Sequence, residues 1–479
     1  MCCETVPAVE LDLLVIGSGP GGQRAAIQAA KLGKRVAVAE RRNRLGGVSI
    51  HTGTIPSKTL RQATLEQIAT RPLDVLDPTR VEETEQEAIQ QLLDRAAAVV
   101  AGETAITREQ FRRNRVGLLQ GDASFIDPTT VRIEGSDEPV KAQRIVIATG
   151  TRPARPASVE FDDRTIIDSD GLLKLEKRVP RTMTVVGAGV IGVEYASMFG
   201  ALGTKVTVVD QRDRVLTFLD GELGEAFQYL LRRRNVTFRL REKVSGVDAL
   251  PGRGARLKLA SGKEIVSETV LYATGRQGDT EKLELENAGL SADKRGRIEV
   301  DGTYRTTVPH IFAVGDCAKC GGAGGLAATA MEQGRIAALH AFERPVTQLP
   351  ELIPTGVYAI PELAQVGATE EELTDASVPY VSGIARWSEL ARGVIAGDRD
   401  GMLKLLVSPE TRAVLGVHVL GSGATDLVHI GQAVMASGDK GLDFLVTAVF
   451  NYPTFAESYK VAALDADNRI KGMAAFGQS

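Results

Sequence analysis

The chain has 479 residues, 43% hydrophobic and 25% charged, the profile of a folded globular protein and not of a disordered or collagen-like one. At roughly 150 residues per domain, that length accommodates about three domains. With 61 acidic against 57 basic residues the net charge is -4, which offers no general attraction for nucleic acid, and four cysteines are too few for a disulfide framework. No apolar run approaches the ~18 residues that span a bilayer, and the first ten residues lack the pattern of a secretory signal. A cytoplasmic protein without membrane or nucleic-acid partners is expected.

Residues 13–40 and 183–210 align without a gap at a constant offset of 170. Val15, Gly17, Gly19, Gly22, Ala26, Leu32, Gly33, Val36 and Val38 recur as Val185, Gly187, Gly189, Gly192, Ala196, Leu202, Gly203, Val206 and Val208. Each copy reads as a buried strand, a glycine turn, a helix of small residues and a Val-rich strand ending on an acid, Glu40 or Asp210. That is a βαβ unit used twice. In such a unit the first glycine makes the tight turn, the second lets backbone approach a pyrophosphate, and the third lets helix and strand pack closely. The helix N-terminus then faces the pyrophosphate with its free N–H groups. The acid stands 18 residues beyond the third glycine in both copies, placed to accept a ribose hydroxyl. One such pattern is weak evidence; two with matching strands and acids imply two bound dinucleotides.

Between the repeats, residues 63–115 are rich in Glu, Gln, Arg and Ala and read as a solvated helical hairpin with a break near Pro72–Pro78. Residues 145–150 and 270–275 are strands ending in Ala-Thr-Gly, each returning the chain from one domain toward the next. Residues 311–316 form another buried strand, stopping at Gly315 and Asp316, and a helix is predicted over 327–338. After Pro350 the pattern changes to short strands, such as 402–407 and 414–419, followed by helices. This predicts a separate α+β domain.

The order and spacing of Gly17-Ser-Gly-Pro-Gly-Gly22, Gly46-Gly47, Ile55-Pro-Ser-Lys58, Ala148-Thr-Gly150, Gly187-Ala-Gly-Val-Ile-Gly192, Gly315-Asp316 and Tyr452-Pro-Thr454 resemble the two-dinucleotide flavoprotein disulfide reductase superfamily over essentially the whole chain. Within it, Gly53-Thr-Ile-Pro-Ser-Lys58 and Asn451-Tyr-Pro-Thr454 with Glu457 are similar to the soluble pyridine nucleotide transhydrogenases. The resemblance implies an α/β fold with two Rossmann-like domains and a C-terminal α+β dimerisation domain. Its implied boundaries are 1–151 and 277–348 for the FAD-binding domain, 152–276 for the NAD(P)-binding domain, and 349–479 for the interface domain of a homodimer. FAD is then expected on the first fold, at Gly17, Gly19, Gly22, Glu40, Gly47, Thr149, Gly150, Gly315 and Asp316. Glu40 would take the adenosine ribose and Asp316 the ribityl chain, with the backbone of 326–329 toward the flavin. NAD(H) and NADP(H) are expected on the second, at Gly187, Gly189, Gly192, Asp210, Arg212 and Gly275.

Departures from the resembled pattern narrow the reaction. The disulfide reductases carry two cysteines with four residues between them, just before Ile-Pro-Ser-Lys; here those positions are Ser49 and Thr54. Hydroxyls cannot form a disulfide or supply a thiolate at neutral pH. The superfamily's base, a His before the C-terminal Pro-Thr, is Tyr452 here, and a phenol of pKa ~10 is a poor base for thiol chemistry. Ser49 also departs from the many transhydrogenases that keep one cysteine there, although hydride transfer itself needs no thiol. Lys58 and Glu194 remain, and in the resembled family they form an ion pair beside flavin and nicotinamide. Cys317 and Cys320 form a C-x-x-C that is expected to be dispensable, and the five histidines show no metal-ligand spacing, so no metal is expected.

Asp210 repels a 2′-phosphate, whereas Arg212 or Arg214 could offset that repulsion. The mixed signal fits use of both coenzymes. The expectation is an FAD-dependent NAD(P)+ transhydrogenase that passes hydride from NADPH to NAD+ by a ping-pong mechanism. An NAD(P)H:quinone or dye reductase, and a redox-sensing flavoprotein with negligible turnover, stay open as alternatives.

Overall fold

The computed structural model describes residues 10–41, 45–70, 81–174, 179–320, 325–346, 348–438 and 440–476. The expected break at Pro72–Pro78 lies outside the described residues; helices Thr54–Thr70 and Val81–Arg113 flank it. No helix among the described residues is long and apolar enough to cross a membrane.

Both repeat copies fold as predicted into strand, helix and strand. Glu10–Ile16, Pro20–Lys31 and Val36–Glu40 form the first, and Thr182–Val186, Val190–Ala201 and Lys205–Asp210 the second. The apolar runs at 13–16 and 183–186 become central parallel strands covered on both faces, which is why they carry almost no polar residues. In the first sheet the order runs Gly117–Gln120, Val36–Glu40, Glu10–Ile16, Val140–Ile147, Thr130–Ile133 and Ala123–Asp127, with Ile311–Ala313 also paired to Val140–Ile147. The second sheet runs Val236–Leu240, Lys205–Asp210, Thr182–Val186, Thr269–Tyr272 and Ile166–Asp168, all parallel. Two short antiparallel strands, Thr151–Pro153 and Arg276–Gly278, carry the chain out of the first fold and back again.

The third unit is an antiparallel sheet of Thr355–Val357, Leu363–Gly367, Val414–Leu420, Met402–Val407 and Val381–Arg386, packed under helices Ala424–Ala436 and Ser458–Phe476. The strands predicted at 402–407 and 414–419 are both central in it.

Steric limits account for the glycine turns. Gly17 and Gly187 have φ of +103° and +111°, a region that L side chains rarely adopt. A Cβ on Gly22 would stand 2.0 Å from the Gly17 carbonyl oxygen, and one on Gly192 would stand 1.9 Å from that of Gly187. No side chain fits there, so the helix can approach its strand only with glycine.

Candidate functional site

The first groove opens on the carboxyl ends of the first sheet and is lined by Gly17, Gly19, Glu40, Gly47, Thr149, Gly150, Gly315 and Asp316. A Cβ on Gly19 would meet nothing within 4 Å, so the turn presents bare backbone to open space where a pyrophosphate would lie. Gly22 lies behind the turn and acts through packing. Glu40 is tied to the turn, since its Oε2 accepts from the Ser18 N–H (3.0 Å) and the Ser18 hydroxyl. The same hydroxyl accepts from the Gly46 N–H at 3.0 Å, which links the Gly46-Gly47 turn to the acid. The sequence reading missed this role of Ser18; its position between two motif glycines was the available signal.

At the other end of the groove, Asp316 Oδ1 accepts from the Gly325 N–H (3.2 Å) and Oδ2 faces the Thr151 hydroxyl at 3.4 Å. Ala327 and Ala330, on the helix Ala327–Ala341, also line it, so the helix expected at 327–338 does face the groove. Ser49, His51 and Thr54 close the same wall. His51 is held by its Nε2 against the Leu45 carbonyl at 2.9 Å. An extended, glycine-floored groove with one acid near each end fits FAD.

Cys317 and Cys320 are both free thiols. Cys317 is fully buried against the Val314 carbonyl, and Cys320 accepts from the Gln333 amide at 3.4 Å. Burial pushes both thiols above the usual range. That disfavours the thiolate a redox pair needs.

The second groove is lined by Gly187, Gly189, Asp210, Arg212 and Gly275 together with Lys243 and Arg295. Asp210 is almost buried, and its oxygens accept from the Ala188 N–H (2.6 Å), the Arg212 N–H (2.8 Å), and Arg212 Nε (2.9 Å) and Nη2 (2.6 Å). These donors hold its carboxyl below the ordinary value, against the desolvation that would raise it. Arg212 therefore sits on Asp210 in a bidentate pair at the mouth of the groove. Arg214 does not join it. Its guanidinium turns away to Glu371 (3.1 Å) on the C-terminal unit, because the chain between 210 and 220 folds back over that surface.

Lys58 and Glu194 meet where the three units converge. The Lys58 ammonium donates to both carboxylate oxygens at 2.9 and 2.8 Å, with 26% of the lysine side chain exposed and 4% of the glutamate. The helix Thr54–Thr70 supplies Lys58 and Val190–Ala201 supplies Glu194, so the pair joins the two dinucleotide folds. Tyr358 from the third unit completes it. Its N–H donates to Glu194 Oε1 at 2.8 Å, and its ring lies 4.8 Å beneath the Lys58 ammonium. Arg61, one turn beyond Lys58, donates to the Ala359 carbonyl at 2.8 Å. Ser197, one turn beyond Glu194, accepts from the Ile360 N–H at 2.9 Å. No sequence signal pointed to Tyr358.

Tyr452 lies far from this pair in the sequence and is 67% exposed, together with Phe444 and Val449.

Residues 11–334 match the family profile "Pyridine nucleotide-disulphide oxidoreductase", and residues 353–463 match its dimerisation domain. The chain belongs to this family. It is 54% identical over 472 residues to a soluble pyridine nucleotide transhydrogenase of Mycobacterium bovis, covering 98% of this chain and 99% of the relative. A protein of the same description from Pseudomonas syringae is 42% identical over 466 residues, covering 96% and 98%. Among solved structures, the HOCl-induced flavoprotein disulfide reductase RclA of Escherichia coli superimposes with a TM-score of 0.84 at 26% identity, covering 95% of this chain and 99% of that one.

Proposed function

We propose that the protein is an FAD-dependent soluble NAD(P)+ transhydrogenase, working as a homodimer in the cytoplasm. The observation that carries the reading is local: the Lys58–Glu194 pair is intact where the two dinucleotide folds meet, while the wall of the first groove carries Ser49 and Thr54, the latter opening the helix that bears Lys58. Such a site has what hydride exchange needs and lacks the thiols a disulfide substrate needs. The match of 353–463 to a dimerisation domain, the exposed Phe444, Val449 and Tyr452, and the free Cys317 and Cys320 support the assembly and the compartment.

In this reading the FAD-binding domain is 1–151 with 277–348, the NAD(P)-binding domain 152–276 and the interface domain 349–479. FAD, when bound, supplies the hydride acceptor and donor chemistry. Glu40 would hold its adenosine ribose and Asp316 its ribityl chain, and the backbone at Gly17, Gly19, Gly47, Thr149, Gly150 and Gly315 would line it, with Gly22 letting the helix pack close behind. Gly187, Gly189, Gly275, Asp210 and Arg212 bind the nicotinamide coenzyme, again with Gly192 behind the turn. Glu194 fixes the Lys58 ammonium, and the ammonium provides a preorganised positive charge at the junction. Asp210 suits a free ribose, and Arg212 leaving it suits a 2′-phosphate, so the two coenzymes can exchange at one site.

The test is anaerobic mixing of the purified protein with NADPH and thionicotinamide-NAD+. Rapid appearance of the reduced thio-analogue is expected. If NADPH is oxidised by an added quinone while the analogue stays oxidised, the acceptor is the quinone and the transhydrogenase reading fails.

A further inference from the structure

The loop 211–220, which leaves the coenzyme groove at Asp210, is fastened on its outer side to the interface domain. Gln365 donates its amide to the Phe218 carbonyl at 2.8 Å, and its Oε1 faces the Asp220 N–H at 3.4 Å. Arg214 pairs with Glu371. Beneath them lies Lys404, fully buried on the strand Met402–Val407, with its ammonium 2.9 Å from Asp220, 3.0 Å from Glu222 and 3.0 Å from Glu370. The three acids lie close enough together to hold a metal ion, and the ammonium occupies that place. His418 packs alongside, its Nε2 against the Ala368 carbonyl (3.0 Å) and its Nδ1 3.3 Å from Gln365 Oε1, and burial pushes its pKa down to about 4.

Asp220 already caps the helix Gly221–Arg232 through the Glu222 N–H, and a cap needs no buried lysine. Burying an ammonium is costly unless its partners are well placed, and here they come from both sides of a domain boundary. The boundary is thereby held in one arrangement. From Asp220 the loop returns to the coenzyme: Val215, Leu216 and Leu219 are buried, and the Leu216 N–H donates at 3.2 Å to the carbonyl of Ala188, inside the second glycine turn. The N–H of the same Ala188 donates to Asp210.

Resting on the coenzyme-site reading above, we propose that Lys404 is a positioning residue for the nicotinamide coenzyme: through Asp220 it holds loop 211–220, and with it Asp210 and Arg212, against the glycine turn. The interface domain thus sets coenzyme affinity at a distance, without touching the coenzyme.

The experiment follows flavin bleaching by NADPH and by NADH in stopped flow, separating the apparent dissociation constant from the limiting rate. In the holoenzyme, K404M is expected to raise both dissociation constants about tenfold while the limiting rate stays within about twofold. Q365M, which keeps every charge, should raise them about threefold. A K404M holoenzyme with both constants within about twofold of the unaltered protein overturns the proposal. If K404M does not fold, the same result with Q365M overturns it. Because bleaching precedes the choice of acceptor, this outcome is independent of whether the thio-analogue is reduced.

Discussion

The two dinucleotide folds share their backbone and differ in what holds the terminal acid. In the first, Glu40 is bound by Ser18, whose hydroxyl also takes the Gly46 N–H, and the groove is closed at its far end by Asp316 and the helix Ala327–Ala341. In the second, alanine replaces that serine, and Asp210 is bound instead by the Ala188 N–H and by Arg212, whose side chain is 42% exposed. One acid is locked by its own turn, and the other is covered by an arginine that can leave. In the proposed reading the first acid would serve a resident cofactor and the second an exchanging substrate, one tied to a buried hydroxyl and the other to a partly exposed guanidinium.

The largest expected effect sets the glycines of the two turns against each other. Gly22→Ala puts a Cβ 2.0 Å from the Gly17 oxygen and should yield protein without flavin, read as the flavin-to-protein absorbance ratio. Gly192→Ala makes the equivalent clash at 1.9 Å and should keep the flavin while losing its reduction by NADPH and NADH. If both variants lose flavin, the two folds are not independent and the comparison breaks. Lys58→Met comes next: flavin content unchanged, and reduction by NADPH slower by about 100-fold, the usual cost of removing one preorganised charge donor. An unchanged rate would remove Lys58 from the mechanism.

Asp210→Asn sharpens the comparison by releasing Arg212 and removing the charge that opposes a 2′-phosphate. The ratio of kcat/KM for NADPH over NADH should rise about tenfold, equal to roughly 1.4 kcal/mol, and a fall in that ratio would contradict the assignment. The smallest effect belongs to the first fold: Cys317→Ser with Cys320→Ser should leave turnover within about twofold, since neither thiol is poised to ionise. Loss of turnover in a flavin-loaded double variant would give the pair a redox role.

Much of the fold was legible because its signals are short. The glycine turn is decided by contacts between residues five apart, Gly17 with Gly22 and Gly187 with Gly192, and the acids follow within the same βαβ unit. The central strands announced themselves as apolar runs, since parallel strands are covered on both faces. Arg212 and Arg214 were not separable in sequence: two residues apart in one charged turn, they end on different domains. The sequence carries no local rule for that choice, because it depends on which surface the loop folds against.

By itself, the sequence determined the duplicated nucleotide fold, the loss of the thiol pair at Ser49 and Thr54, and the retention of Lys58 and Glu194. The first follows from residue identity within a local steric frame, and the other two from the resemblance to the disulfide reductase pattern. Only the tertiary structure decided that Lys58 and Glu194, 136 residues apart, meet, and that Tyr358, 164 residues beyond Glu194, braces them. It also decided that Lys404 reaches Asp220 across 184 residues. These contacts depend on how the three units pack together, through a hydrophobic cluster that joins Leu60, Val185 and Leu363, which is set by the sum of many weak packing terms and leaves no periodicity along the chain.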